Sequence, residues 1–276
     1  MTRLPNLALA AAIAAAAIAA AALFCAGEAS AQAAAAPVGC SDDVPQRATR
    51  GNAEFISNSQ TVRGLLYKPT GPANGAAVVL LHSSEGLTVD AHSFDPHAIQ
   101  LAARGYHVLV PNYFEARARQ VPWRGRDVRL WEEAGHAAVA YLGTLEGVDP
   151  ARVGIWGFSL GGFIATDGSA HPDSTARVAI GVATGKDISE PGRTRRELPM
   201  LLIEGYSTFP VISTATMRDL AADLRRRGGT VEVQLLTSRA PSMTGAVWCE
   251  VFQHTRRFLD ANLLPPPAAV PVAPAG

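Results

Sequence analysis

The stretch Val153-Gly154-Ile155-Trp156-Gly157-Phe158-Ser159-Leu160-Gly161-Gly162 constrains this chain more than any other. A short apolar run, the length of a buried strand, leads into Gly-Phe-Ser-Leu-Gly and then into a helix-like sequence. That order describes a serine lifted on a sharp turn between a strand and a helix. Such a turn strains the serine backbone and crowds its neighbours, so the flanking positions must be small. Gly157 and Gly161 meet that need. The turn presents the Ser159 hydroxyl as a nucleophile. It also aims the Leu160 N–H at the place where negative charge would gather on an attacked carbonyl oxygen.

The N-terminus is of a different kind. Arg3 gives a short positive start, residues 7–24 are an alanine-rich apolar run, and Ala29-Ser30-Ala31 offers the small residues a signal peptidase reads. We read residues 1–31 as a secretory signal, with the mature chain starting near Gln32 and lying in the periplasm or outside the cell. A single membrane anchor is the alternative, because the run is near the lower limit of a span. Alanine is only weakly apolar and the cleavage signal is good, so removal is favoured, with no stable membrane insertion afterwards. Cys25 follows Phe24, which is larger than lipoprotein processing usually accepts.

Export leaves Cys40 and Cys249. In an oxidising compartment an even pair is a disulfide candidate, and two unpaired buried thiols are the other reading. Closing so long a loop stabilises by up to about 5 kcal/mol in the chain-entropy picture.

The mature chain of about 245 residues suits one α/β domain. The full sequence's 24 basic and 24 acidic residues balance, and the signal region holds one of each (Arg3 and Glu28), which argues against a nucleic-acid footprint. The seven histidines and three cysteines show no metal-ligand spacing, and no cofactor motif stands out.

Apolar runs at 62–67, 77–81, 106–110, 153–156, 178–182, 200–203 and 231–236 read as strands. Helical patterns at 94–104, 126–142, 214–227 and 246–259 alternate with them. The expected architecture is a mostly parallel central sheet with helices on both faces. It occupies residues 62–263, after an N-terminal extension at 32–61 and before a disordered Pro/Ala tail at 264–276.

LLHSSEGL, RGYHVLVPNYF, RVGIWGFSLGG and PMLLIEG stand in an order and at a spacing that resemble the dienelactone hydrolase family of the α/β-hydrolase superfamily. The likeness covers residues 77–263. The name-giving enzymes carry a cysteine at the turn, so Ser159 is similar to the serine esterase version. The resemblance implies a second oxyanion donor, the Ser83 N–H, in the loop His82-Ser83-Ser84-Glu85-Gly86-Leu87. One such donor contributes roughly 3 kcal/mol of transition-state stabilisation. It also implies a structural histidine at His82, whereas Glu85 fits either a substrate contact or a solvated charge.

Two expected parts are missing. The position matching the family's acid is Thr208, and residues 237–245, where the histidine base should stand, read TSRAPSMTG. A serine hydroxyl without a base is a weak nucleophile. Asp187, His254 and His82 are the remaining candidates for base or acid, and Arg193, Arg195 and Arg196 form a loop cluster suited to a carboxylate or to solvent. The resemblance implies a hydrolase acting on a small-molecule ester or lactone through Ser159, and the signal sequence adds that it is exported. The missing acid and base leave open a non-catalytic ligand-binding protein on the same scaffold. A cell-envelope interaction protein, resting on export and the Pro/Ala tail, is a third class.

Overall fold

In the computed structural model, the described residues are 40–118, 125–168, 173–185, 198–204, 213–226, 228–237 and 245–266. The signal region at 1–31, Asp187, the arginine cluster, Thr208 and residues 238–244 lie outside them.

One sheet of eight strands organises the chain, in the order β1-β2-β4-β3-β5-β6-β7-β8. β1 (Ala48–Ser57) and β2 (Gln60–Pro69) form an antiparallel hairpin, and β2 pairs antiparallel with β4 (His107–Pro111). From β4 onward every pairing is parallel, through β3 (Gly75–Leu81), β5 (Val148–Phe158), β6 (Val178–Val182), β7 (Met200–Ile203) and β8 (Val231–Gln234).

Helices cover both faces, which is why the central strands read as unbroken apolar runs. Along β3, Ala77, Val79 and Leu81 join the core under α2 (Gly125–Leu142) and α4 (Thr214–Arg226), while Val78 and Leu80 point into the other core. That second core lies under α1 (Leu87–Ala103) and α5 (Gly245–Leu263). The expected mostly parallel sheet with helices on both faces is therefore present. Among the described residues, no helix is long and apolar enough to cross a membrane.

The sheet starts earlier than the apolar runs suggest, because β1 lies in the stretch read as an extension. Only alternate residues of β1 are buried (Ala53, Phe55, Ser57), with exposed Glu54 and Ile56 between them. Its turn, Asn58-Ser59, holds both residues at positive φ, 49° and 62°. That is the twist a two-residue hairpin requires. α1 also starts earlier than its apolar pattern, at Leu87. Its first turns carry Thr88, Val89 and Ser93, and Pro96 stands inside it.

Cys40 and Cys249 form a disulfide, with Cα atoms 5.4 Å apart across a sequence separation of 209. The segment after Cys40 is tied down as well. Val44 and the Gln100 side chain exchange two hydrogen bonds, 2.9 and 3.0 Å long, and Arg256 pairs with Asp42 at 3.1 Å.

Candidate active site

β3 and β5 lie side by side with Leu81 opposite Gly157, so the segments leaving their C-terminal ends emerge together. From there the chain winds outward in both directions, to β4 beyond β3 and to β6 beyond β5. A doubly wound sheet opens its ligand crevice at such a point.

Ser159 stands at the end of β5 with φ 53° and ψ −119°, ahead of the short helix α3 (Leu160–Phe163) and a π-helical turn, Ile164–Gly168. Its N–H donates to the Val182 carbonyl at 2.9 Å, and its carbonyl accepts the Phe163 N–H at 3.1 Å. A Cβ on Gly157 would lie 2.0 Å from the Gly161 carbonyl oxygen. One on Gly161 would lie 2.4 Å from the carbonyl oxygens of both Leu81 and His82. The first glycine lets the turn close on itself, and the second lets it close on the loop after β3. Leu160 is buried at the start of α3, and the Ser159 side chain is half-buried.

Ala183, just after β6, is a second left-handed residue that is not glycine, at φ 53°. Its N–H donates to the Ile203 carbonyl at 3.0 Å. Strain of this kind persists where surrounding structure over-determines it. The neighbouring Thr184 is buried, and its hydroxyl has no hydrogen-bond partner among the described residues.

His82 is fully buried and stacks on Tyr113, with ring centroids 4.0 Å apart and planes 11° from parallel. Its Nδ1 lies 2.8 Å from the Ser83 carbonyl, which can only accept, so Nδ1 carries the proton. Burial pushes its pKa down to about 4, opposed by the bond to Ser83 and by the Asn112 side chain. Asn112 approaches the ring without meeting hydrogen-bond geometry at Nε2. The imidazole is therefore neutral at pH 7. The Tyr113 hydroxyl donates to the His82 carbonyl at 2.8 Å, which fixes the loop from the core side.

The Ser83 N–H, the expected second oxyanion donor, is occupied: it donates to Asp90 Oδ2 at 2.5 Å. Asp90 lies in the first turn of α1. Burial raises its pKa, the Ser83 hydroxyl and N–H lower it, and Glu85 raises it. Nothing in the sequence singles out Asp90 beyond an acidic residue near a helix start.

His254 sits midway along α5. Trp248 at the start of that helix meets Phe158 at a centroid distance of 5.0 Å, whereas Leu259 and Leu263 face Gly154. The helix thus runs back along β5, which puts His254 about 9 Å along its axis from the level of Trp248. Burial and Arg257 lower the His254 pKa, and Glu250 raises it. Among the described residues, no side chain hydrogen-bonds the Ser159 hydroxyl.

Behind the turn lies a polar group that sequence reasoning misses. Glu132 of α2 and Asp167 of the π-helical turn are both buried, and His136 Nε2 lies 2.6 Å from the Gly168 carbonyl. The helical spacing of Glu132 and His136 was the available signal. Among the described residues, no group of His, Cys, Asp and Glu could hold a metal ion.

Over 127 residues the chain is 32% identical to the quorum-quenching protein AidA of Acinetobacter baumannii strain MDR-ZJ06, covering 44% of this chain and 39% of that protein. The chain thus matches well under half of that relative's length. The solved dienelactone hydrolase of Anabaena variabilis ATCC 29413 superposes with a TM-score of 0.64 at 18% identity, over 79% of this chain and 99% of that one. A dienelactone hydrolase-like promiscuous phosphotriesterase from metagenomic libraries gives 0.62 at 18% identity, over 79% and 100%. At such identities the superpositions speak for the fold alone. The sequence profile of the dienelactone hydrolase family, however, matches residues 62–236, from the start of the second strand to just past the last. With more than half of the sequence matched and the family's sheet and serine turn in place, the chain belongs to the dienelactone hydrolase family.

Proposed function

We propose that this protein is an exported serine hydrolase that cleaves a carboxylic ester or lactone through Ser159. The observation that carries the proposal is the strained Ser159 turn, closed by Gly157 and Gly161 against the loop after β3. In this reading Ser159 Oγ bonds to the substrate's carbonyl carbon, and the carbonyl π electrons move onto oxygen. The N–H groups of Leu160 and Ser83 hold that oxygen once Asp90 has released Ser83. The tetrahedral centre collapses, the alcohol leaves with a proton, and water then releases the acyl group from Ser159.

A base must take the Ser159 proton. His82, His254 and Asp187 are the groups to test for the displaced base and acid. The disulfide supports export, since such bonds persist in oxidising compartments. The likeness to a quorum-quenching protein adds a direction to the substrate search, a diffusible signal with a lactone or ester carbonyl.

A fluorophosphonate probe should label Ser159, and Ser159→Ala should abolish the label and any turnover of esters and lactones. A purified protein that stays unlabelled on long exposure, and inert across short and long acyl chains, would remove this reading. The second reading, a ligand-binding protein on the hydrolase scaffold, is favoured by Thr208 and by the absence of histidine at 237–245. A lactone that raises the melting temperature without being consumed would establish it.

A further inference from the structure

The resting site carries its own anion. Asp90 Oδ2 lies 2.5 Å from the Ser83 nitrogen, the distance of a charge-assisted bond, at the loop that Gly161 presses against. The donor itself has little freedom to turn. The Ser83 carbonyl accepts the His82 ring N–H at 2.8 Å and the Gly86 N–H at 3.2 Å, and the Ser83 hydroxyl accepts the Glu85 N–H at 3.1 Å. The acceptor is the movable partner. Asp90 is only half-buried, and no lysine or arginine of the described residues pairs with it. Its one charged neighbour there is Glu85, exposed and of the same sign, which favours its departure toward solvent.

We propose that Asp90 competes with the substrate's carbonyl oxygen for the Ser83 N–H, and that its charge makes this site select neutral esters or lactones over those bearing a carboxylate near the scissile bond. The inference rests on the serine hydrolase reading above. A neutral carbonyl displaces the carboxylate by taking over its donor. A substrate carboxylate instead meets Asp90 and Glu85 together and is repelled. Acid weakens the competition, because a protonated Asp90 accepts the Ser83 N–H poorly.

The test compares p-nitrophenyl butyrate with mono-p-nitrophenyl succinate, which adds a carboxylate, on the full-length protein and its Asp90→Ala and Asp90→Asn variants. Asp90→Ala should raise kcat/KM for the butyrate by about tenfold, the scale of one hydrogen bond to a charged group. It should raise the succinate further, so that the preference for butyrate shrinks toward parity. Asp90→Asn keeps an acceptor but not the charge. It should shrink the same preference with a smaller gain on the butyrate.

The Ser83 amide proton gives a readout independent of how the variants fold. In the wild type it should move upfield as Asp90 is protonated. An unchanged butyrate-to-succinate ratio in folded variants, or a Ser83 amide that does not titrate, overturns the competition while wild-type turnover leaves the hydrolase reading standing. Loss of turnover and of Ser159 labelling in every form removes the hydrolase reading and the competition with it.

Discussion

At the scale of single residues, chemistry and packing pull histidines toward the same state. His97 of α1 lies among Trp156, Trp248 and Phe252, stacked on the last with ring centroids 5.0 Å apart. Burial pushes its pKa down to about 4, with Asp42 acting in the opposite sense, and His82 is held down to about 4 as well. Both rings are neutral when folded and titrate near their ordinary value when unfolded. The unfolded chain therefore takes up protons first, and stability falls as pH drops from the ordinary histidine value toward 4. Between pH 7 and 5 each ring removes roughly 2 kcal/mol. Urea unfolding at the two pH values should show this loss, and His97→Phe should lose less of its stability on acidification than the wild type. An equal fall in both proteins would contradict the assignment.

The residues that the sequence reveals at this scale are those whose type the backbone dictates. Gly157 and Gly161 are legible because any Cβ there would collide with a carbonyl. Asp90 is not legible, since a backbone N–H imposes no residue type on its own position. The base for Ser159 cannot be read from the family spacing either, because Thr208 and TSRAPSMTG stand where the motif residues should be.

Among elements, legibility follows burial. β6 and β7 are buried along their whole length, and their apolar runs mark their ends without error. β1 is buried on one face only and is edged by charge, so its weak alternation hides it. The first half of α1 is hidden by the β-branched residues near its start and by Pro96, a residue that ordinarily ends a helix pattern. The β1–β2 hairpin offers a clean test of local backbone preference. Asn58 anchors the turn to α2 by hydrogen-bonding Glu133, whereas exposed Ser59 contributes only its strained φ of 62°. Ser59→Gly should therefore stabilise the fold by about 1 kcal/mol, a rise in Tm of roughly 2–4 °C for a chain of this size. A lowered Tm would mean that the serine side chain holds the turn in a way its φ does not suggest.

For the whole molecule, the disulfide is the strongest single constraint on the unfolded chain. Its loss should cost up to about 5 kcal/mol. Paired Cys40→Ser and Cys249→Ser changes should then lower Tm by more than removal of the Asp42–Arg256 ion pair with Asp42→Asn, since a partly exposed pair contributes about 1 kcal/mol or less. Calorimetry on the three proteins would decide it, and equal Tm values would show the bridge to be energetically idle. The same bond has a mechanical consequence. Among the described residues, Cys40 precedes and Cys249 follows the eight strands of the sheet, so those strands are enclosed within one covalent ring. A tug on the two ends of the polypeptide is carried across the sulfur bridge and bypasses the sheet. Force applied at the two ends therefore reaches the strands only after a reductant has opened that ring.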